Sequence, residues 1–420
     1  SLAETPFPHQ EHLAVAEDSP SRNGHFVLPD HTVYGYHPYW GGSVLDIDLS
    51  PLSHIAVFNV ELTATGDLIY TNRWTDVADT LVPKAHAIGV KVHLCFTSFT
   101  DTINNSVLPD PQKRERAILQ LDALISSVDA DGINVDIEGM DASQRLNLNL
   151  FISELKQVVP EVVIATPAID WSNAYDYNTL ASLSDGLFIM GYGYHWSGGD
   201  PGPVDPLNGN SPWSQYSLAW SVQDYINDGV PKDKIILGLP LYGRKWPTTN
   251  NTIPGTATGT GIPVIMNDAV VEASIMGSLY DTPSQTPYIL YNNEQLWYGD
   301  VESVRERIRF AVSSDIQGIG FWALTYENGV SGFWEMVNQE TTDIEPNDDT
   351  GQPDLSDSGT IPDTNDSGSI PDPNSPPIAN AGEDQMVRVD QGASLFGSAS
   401  SDPDGDAIQF TWRQVSGPSS

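Results

Sequence analysis

Eight short apolar runs recur along the chain, separated by longer segments with helical spacing. The runs are Thr32–Tyr36, His54–Val60, Val90–Phe96, Gly132–Glu138, Val162–Thr166, Gly186–Met190, Ile235–Leu239 and Gly318–Trp322. Helical patterns fall at Gln112–Val128, Ser143–Val158, Ser217–Asp228 and Val301–Ser314. Strands that alternate with helices imply parallel pairing. Eight such units in roughly 310 residues fit a (β/α)8 barrel, an α/β fold. An open doubly wound sheet has a similar pattern, but no Gly-rich phosphate loop follows the first strand.

The fourth run carries unusual polarity. Side chains alternate faces along a strand, so Ile133, Val135 and Ile137 form one apolar face. Asn134, Asp136 and Glu138 line the other, with neighbours roughly 6 to 7 Å apart. Burying carboxylates is costly unless they are paired, hydrogen-bonded or protonated. Such a cost is tolerated where pKa values are tuned for chemistry. A half-exposed strand with a turn at Asp131-Gly132 is the plainer alternative.

The periodic pattern divides the chain into four parts. Residues 1–30 are irregular, and 31–340 hold the barrel. Between the seventh and eighth strands lies a long connection, about residues 247–295, with a Thr-, Gly- and Pro-rich stretch at Thr248–Thr260. Apolar segments near Pro263–Asn267 and Pro287–Tyr291 follow, so a small α+β insertion is expected there. Residues 341–376 are rich in Pro, Asp, Ser, Thr, Gly and Asn and poor in apolar residues, the composition of an acidic, disordered linker. Strand-like segments Gln385–Val389, Ser394–Phe396 and Ile408–Gln414 mark a partial β-sandwich module over 377–420. A fragment of that size is marginal alone.

Charge narrows the function classes. Lys and Arg total 18 against 56 Asp and Glu, a formal net charge of -38. Nucleic acid and anionic membrane surfaces are thereby disfavoured as partners, whereas a neutral substrate is indifferent to the charge. No apolar run approaches the roughly 20 residues of a membrane span. No signal peptide is read at Ser1-Leu2-Ala3-Glu4, which suits a mature N-terminus or a cloning remnant. The single cysteine, Cys95, cannot form an internal disulfide and reads as a core thiol. A monomer without a cofactor is expected. The histidines show no metal-ligand spacing, and His37 and His195 read as rim or hydrogen-bonding groups.

Barrel chemistry sits at the C-terminal ends of the strands. Those ends carry Glu138 and Asp136 on the fourth strand, with Tyr36, Tyr39 and Trp40 at the first. Met190 and Tyr192 fall at the sixth, Tyr242, Arg244 and Trp246 after the seventh, and Trp322 at the eighth. Flat aromatic faces suit sugar rings, and tuned carboxylates suit glycosidic bonds.

The stretch Asp131–Glu138 resembles the Asp-x-x-Asp-x-Asp-x-Glu signature of glycoside hydrolase family 18, the chitinase family. Gly35-Tyr36, Met190-Gly191-Tyr192, Gly238–Arg244, Trp297–Ser303 and Gly318–Trp322 resemble further family segments in order, over roughly residues 31–340. The resemblance implies a retaining, substrate-assisted mechanism. Glu138 would be the general acid and then the base, and the nucleophile would be the substrate's own N-acetyl carbonyl oxygen, giving an oxazolinium. Asp136 would hold the acetamido N–H and Tyr192 would donate to the acetamido oxygen. Asp131 and Asn134 complete the signature. Tyr36, Trp40, Met190, Tyr242 and Arg244 would line the substrate site, and Trp322 would floor the sugar.

Two positions depart from the family pattern. Asn134 stands where the signature has its second Asp, and Gly193 follows Tyr192 where many members carry Asp. Asn134 is expected to hydrogen-bond Asp136 without sharing a proton. The resemblance implies an N-acetylglucosamine polymer as partner, chitin first. The loop Tyr194–Val204 also resembles loops of spore-cortex and peptidoglycan-cleaving members. Glycoprotein glycans and a catalytically inactive lectin-like role stay open. The segments Pro377–Gln385 and Gly397–Asp406 resemble the start of a PKD-type immunoglobulin-like domain. Such modules accompany secreted bacterial polysaccharide-degrading enzymes, which favours extracellular chitin breakdown. Asp402, Asp404 and Asp406 are weak Ca²⁺ candidates within an Asp/Gly turn.

Overall fold

A computed structural model describes residues 31–342. The parts expected at 1–30, the linker beyond residue 342, the module at 377–420 and the acids Asp402, Asp404 and Asp406 lie outside the described residues.

Eight strands form the sheet that dominates the molecule: β1 (Thr32–Pro38), β2 (His54–Leu62), β3 (Lys91–Ser98), β4 (Gly132–Ile137), β5 (Glu161–Pro167), β6 (Gly186–Met190), β7 (Ile235–Pro240) and β8 (Gly318–Trp322). Each neighbouring pair among these eight is parallel, and β1 pairs with both β2 and β8, so they close into a barrel; a ninth, two-residue strand, Leu68–Ile69, adds to the end of β2 antiparallel. A (β/α)8 barrel is thus the observed architecture. The sixth and eighth strands coincide with the expected runs, and the others differ by one or two residues at their ends.

The helices start where local chemistry dictates. Pro111–Ser126 begins on Asp110, whose carboxylate accepts from Gln112 N–H and Lys113 N–H, with Pro111 at the first helical position, where a missing N–H is harmless. Val301–Ser313 begins with a capping box in which Asp300 and Ser303 satisfy each other's backbone N–H groups. Each cap contributes about 0.5–2 kcal/mol.

Two apolar layers result from the strand alternation. Outward side chains such as Ile133, Val135 and Ile137 join the shell between strands and helices, where Phe151 of helix Arg145–Leu155 stacks on Phe96 at 5.7 Å. Inward side chains, among them Tyr34, Tyr36, Phe58, Cys95, Phe188 and Met190, fill the barrel. Fully burying one such ring stabilises by about 1.5–3 kcal/mol. Phe188 lies across the interior because β7 and β8 present Gly238 and Gly320 to it. A Cβ at either glycine would stand 2.3 Å from the ring.

Between β7 and β8 the chain builds a five-stranded antiparallel sheet, in the order Ile262–Ile265, Tyr242–Pro247, Glu294–Trp297, Thr286–Tyr291, Leu279–Asp281. Helix Met266–Met276 accompanies it. Arg307, fully buried on helix Val301–Ser313, ties this sheet to the loop after β6. Its Nε donates to Asp205 Oδ2 at 2.6 Å, and its other donors reach the Asp205, Gln285 and Ser303 carbonyls and Thr286 Oγ1. No described helix is long and apolar enough to cross a membrane.

Candidate active site

Strand β4 delivers the acids to the C-terminal mouth of the barrel. Asp136 points inward and is buried, and Glu138, half-buried, follows the last strand residue. The Glu138 backbone is fixed on both sides. Its N–H donates to Ser98 O at 2.8 Å, and its carbonyl accepts from Asn104 Nδ2 at 2.6 Å. Asn104 is itself oriented by Ser98 Oγ at 2.6 Å.

Asp136 Oδ1 is buried and has no hydrogen-bond partner among the described residues. Burial, and secondarily the charge of Glu138, push the Asp136 carboxyl well above the ordinary carboxylate range. Tyr192 lies close to both acids. Burial first, then Tyr242, Asp136 and Glu138, hold its phenol protonated far above its ordinary value, so it remains an O–H donor. Its ring meets Tyr242 edge-on at 6.1 Å. Tyr175, which sequence patterning did not single out, donates its hydroxyl to Ile137 O at 2.6 Å, and both acids contribute to raising its pKa after burial. It arrives on the loop after β5, where no apolar periodicity marks it.

An aromatic floor lies beside the acids. Trp322, half-buried, sits edge-on to Phe58 at 4.9 Å and Tyr36 at 5.7 Å, and Trp40 stands 6.3 Å from it. Trp40 Nε1 donates to the Tyr326 hydroxyl at 2.8 Å, which fixes the indole. Met190 is buried among the same inward side chains. The Phe58–Asn59 and Trp322–Ala323 peptide bonds are cis.

The structure thus brings together Tyr36, Trp40, Asn134, Asp136, Glu138, Met190, Tyr192, Tyr242 and Trp322. Arg244 is almost wholly buried in strand Tyr242–Pro247, and its Nη1 donates to Gly261 O at 3.0 Å.

Asp131 does not join the site. It precedes β4, about 23 Å of extended chain from Glu138. There its carboxylate accepts from Val92 N–H at 2.7 Å and contacts His86 Nε2 at 2.8 Å. It braces the opposite end of the barrel, which corrects its expected place in the catalytic group.

Both departures from the family pattern have a local cause. Asn134 is turned away from Asp136: its Nδ2 donates to the Tyr36 hydroxyl at 2.8 Å and its Oδ1 accepts from the Cys95 thiol at 3.2 Å. The expected Asn134–Asp136 hydrogen bond is therefore replaced by one bond across the barrel to β1 and one to the neighbouring strand β3. Gly193 has φ +78, a conformation that an Asp side chain would strain.

A closed (β/α)8 barrel with two carboxyls and an aromatic floor at its C-terminal mouth is the layout of a sugar-cleaving enzyme. The sequence profile of glycosyl hydrolases family 18 matches residues 32–327, and the chain belongs to that family. YdhD of Bacillus subtilis, whose name assigns it provisionally as a sporulation-specific glycosylase, is 27% identical over 299 residues, 66% of this chain and 67% of YdhD. The cortical fragment-lytic enzyme of Bacillus subtilis is 24% identical over 249 residues, and the alignment spans 54% of each chain. Di-N-acetylchitobiase of Rattus norvegicus is 26% identical over 275 residues, 57% of this chain and 71% of that enzyme. The crystal structure of the Ostrinia furnacalis Group IV chitinase superposes with a TM-score of 0.67 at 18% identity, covering 74% of this chain and all of that one, a likeness of fold.

Proposed function

We propose that this glycoside hydrolase cleaves β-1,4-linked N-acetylglucosamine polymers, with chitin as substrate, by a retaining, substrate-assisted route. Glu138 protonates the glycosidic oxygen as the C–O bond breaks. The acetamido carbonyl oxygen of the same sugar bonds to the anomeric carbon, giving an oxazolinium. Tyr192 donates to that oxygen during attack, and Asp136 accepts the acetamido N–H, stabilising the positive charge. Glu138 then takes a proton from water, which opens the ring with retention. Trp322 stacks under the sugar. Tyr36, through Asn134, belongs to the wall behind it.

The observation that carries this reading is Asp136 Oδ1, a buried acceptor without a partner beside Glu138. An unpaired buried acceptor costs about 1–3 kcal/mol, which an incoming amide N–H would recover. A thiazoline mimic of the oxazolinium should inhibit the wild type strongly and Asp136→Asn weakly. Equal inhibition of both would remove Asp136 from the role.

Similarity to YdhD and to the cortical fragment-lytic enzyme favours peptidoglycan as a second substrate class. N-acetylglucosamine occurs in both polymers, so the same residues would serve. The retained Glu138 weighs against a purely binding role. Action outside the cell, as a monomer, is part of the same proposal, because such polymers are met there.

A further inference from the structure

A second cluster of chemistry-bearing side chains lies at the other end of the barrel. His54 opens β2, Glu161 opens β5, and His93 is the third residue of β3. The strand register brings them together. His93 pairs with Gly132 on β4, and Gly132 pairs with Glu161 on β5. The intervening position has no side chain, and a Cβ on Gly132 would stand 3.0 Å from Glu161 Cβ and 2.2 Å from its carbonyl oxygen. His93 and Glu161 therefore meet across a strand that glycine leaves bare.

Three donor atoms converge there. His54 Nε2 lies 2.9 Å from Glu161 Oε1, and His93 Nε2 lies 3.8 Å from the same oxygen. All three ligand atoms fall within 4.8 Å of one another. A zinc ion with ligands at about 2.0–2.2 Å separates tetrahedral neighbours by about 3.4 Å, a spacing these two distances straddle. His93 is fully buried, and its Nε2 has no hydrogen-bond partner among the described residues, although it faces a carboxylate.

The surroundings have the form of outer support for metal ligands. His54 Nδ1 is 2.8 Å from Ser53 Oγ, and His93 Nδ1 is 3.0 Å from the Tyr34 hydroxyl. Such bonds at the remote nitrogen fix a ligand imidazole's orientation and tautomer. Lys91 Nζ holds Glu161 Oε2 at 2.6 Å, leaving Oε1 to face the imidazoles. The side chains of His54 and Glu161 keep 10% and 15% of their surface, so the cluster opens to solvent at the barrel's N-terminal end.

The geometry points to a structural site for a divalent transition metal ion, with His54 Nε2, His93 Nε2 and Glu161 Oε1 as ligands and water completing the shell. Two imidazoles and one carboxylate are a donor set suited to zinc. The ion would tie β2, β3 and β5 together at the end of the barrel remote from Glu138.

The test uses the whole chain stripped of metal by a chelator and titrated with Zn²⁺ by calorimetry, in parallel with thermal unfolding and Co²⁺ absorption. The expected result has three parts: one tight equivalent per chain, a rise in Tm on loading, and visible Co²⁺ bands of a low-coordinate site. His93→Gln and Glu161→Gln, checked for folding by circular dichroism, should each weaken that binding by about 100-fold or more and abolish the Tm rise. Either variant suffices if the other fails to fold. No tight equivalent in the wild type, or tight binding unchanged in a folded variant, overturns the site and leaves a hydrogen-bonded cluster.

Discussion

Asn134 donates its amide N–H to the Tyr36 hydroxyl at 2.8 Å, joining β4 to β1 through the middle of the barrel. Its carbonyl oxygen takes the Cys95 thiol, so both ends of the amide face neutral groups rather than Asp136. Asp136 thus has Glu138 as its neighbouring acid on this strand, with a neutral amide rather than a carboxyl at position 134.

Asn134→Asp would place a second buried carboxyl two residues from Asp136 on the same strand face. Like charges raise each other's pKa, so the acidic limb of kcat/KM should move to higher pH. Rates measured across pH 4–8 on a soluble N-acetylglucosamine oligomer check this, and an unchanged profile would contradict it.

Glu327 supplies a pH prediction for stability. Its carboxyl is buried, and this burial outweighs its hydrogen bonds, including that from Trp334 Nε1 at 3.1 Å, and lifts its pKa from 4.5 to about 7. A folded pKa above the unfolded value means that the native state holds the extra proton. Stability is then greatest below the unfolded pKa and falls as pH rises toward and past 7. Glu327→Gln keeps an acceptor for Trp334 and should gain about 2–3 kcal/mol above pH 7 but nothing near pH 4. Denaturant unfolding at both pH values provides the measurement, and a gain of equal size at both would refute the burial explanation.

Arg307 and Asp205 form a buried pair at 2.6 Å whose guanidinium donors also satisfy three backbone carbonyls. Removing one partner leaves a buried charge without compensation, so Arg307→Ala should cost about 3–5 kcal/mol. Chemical denaturation measures this. A loss below about 1 kcal/mol would show that solvent reaches the pair.

Much of the barrel was legible because its strands are short apolar runs with punctuated ends. Gly186–Met190 and Gly318–Trp322 needed no adjustment. The placement of Asp136 and Glu138 followed from strand alternation. The same alternation, carried through, removes Asp131: it shares parity with the outward Ile133, Val135 and Ile137 and lies at the wrong end of β4. The signature resemblance masked that conflict. The His54–His93–Glu161 cluster was not legible, because its members are gathered by register across β2, β3 and β5 and have no ligand spacing along the chain. Tyr175 was missed for a related reason, since only the fold of the β5 loop returns its hydroxyl to the Ile137 carbonyl.

The most direct test is mass spectrometry of products from N-acetylglucosamine hexamer and from purified peptidoglycan, with wild type and Glu138→Gln side by side. The chitinase assignment predicts dimers and trimers from the hexamer with wild type, and a loss of about 100-fold or more in the variant, which should still bind sugar. Muropeptides with an intact hexamer would transfer the activity to peptidoglycan. Turnover by Glu138→Gln equal to wild type would contradict the mechanism itself.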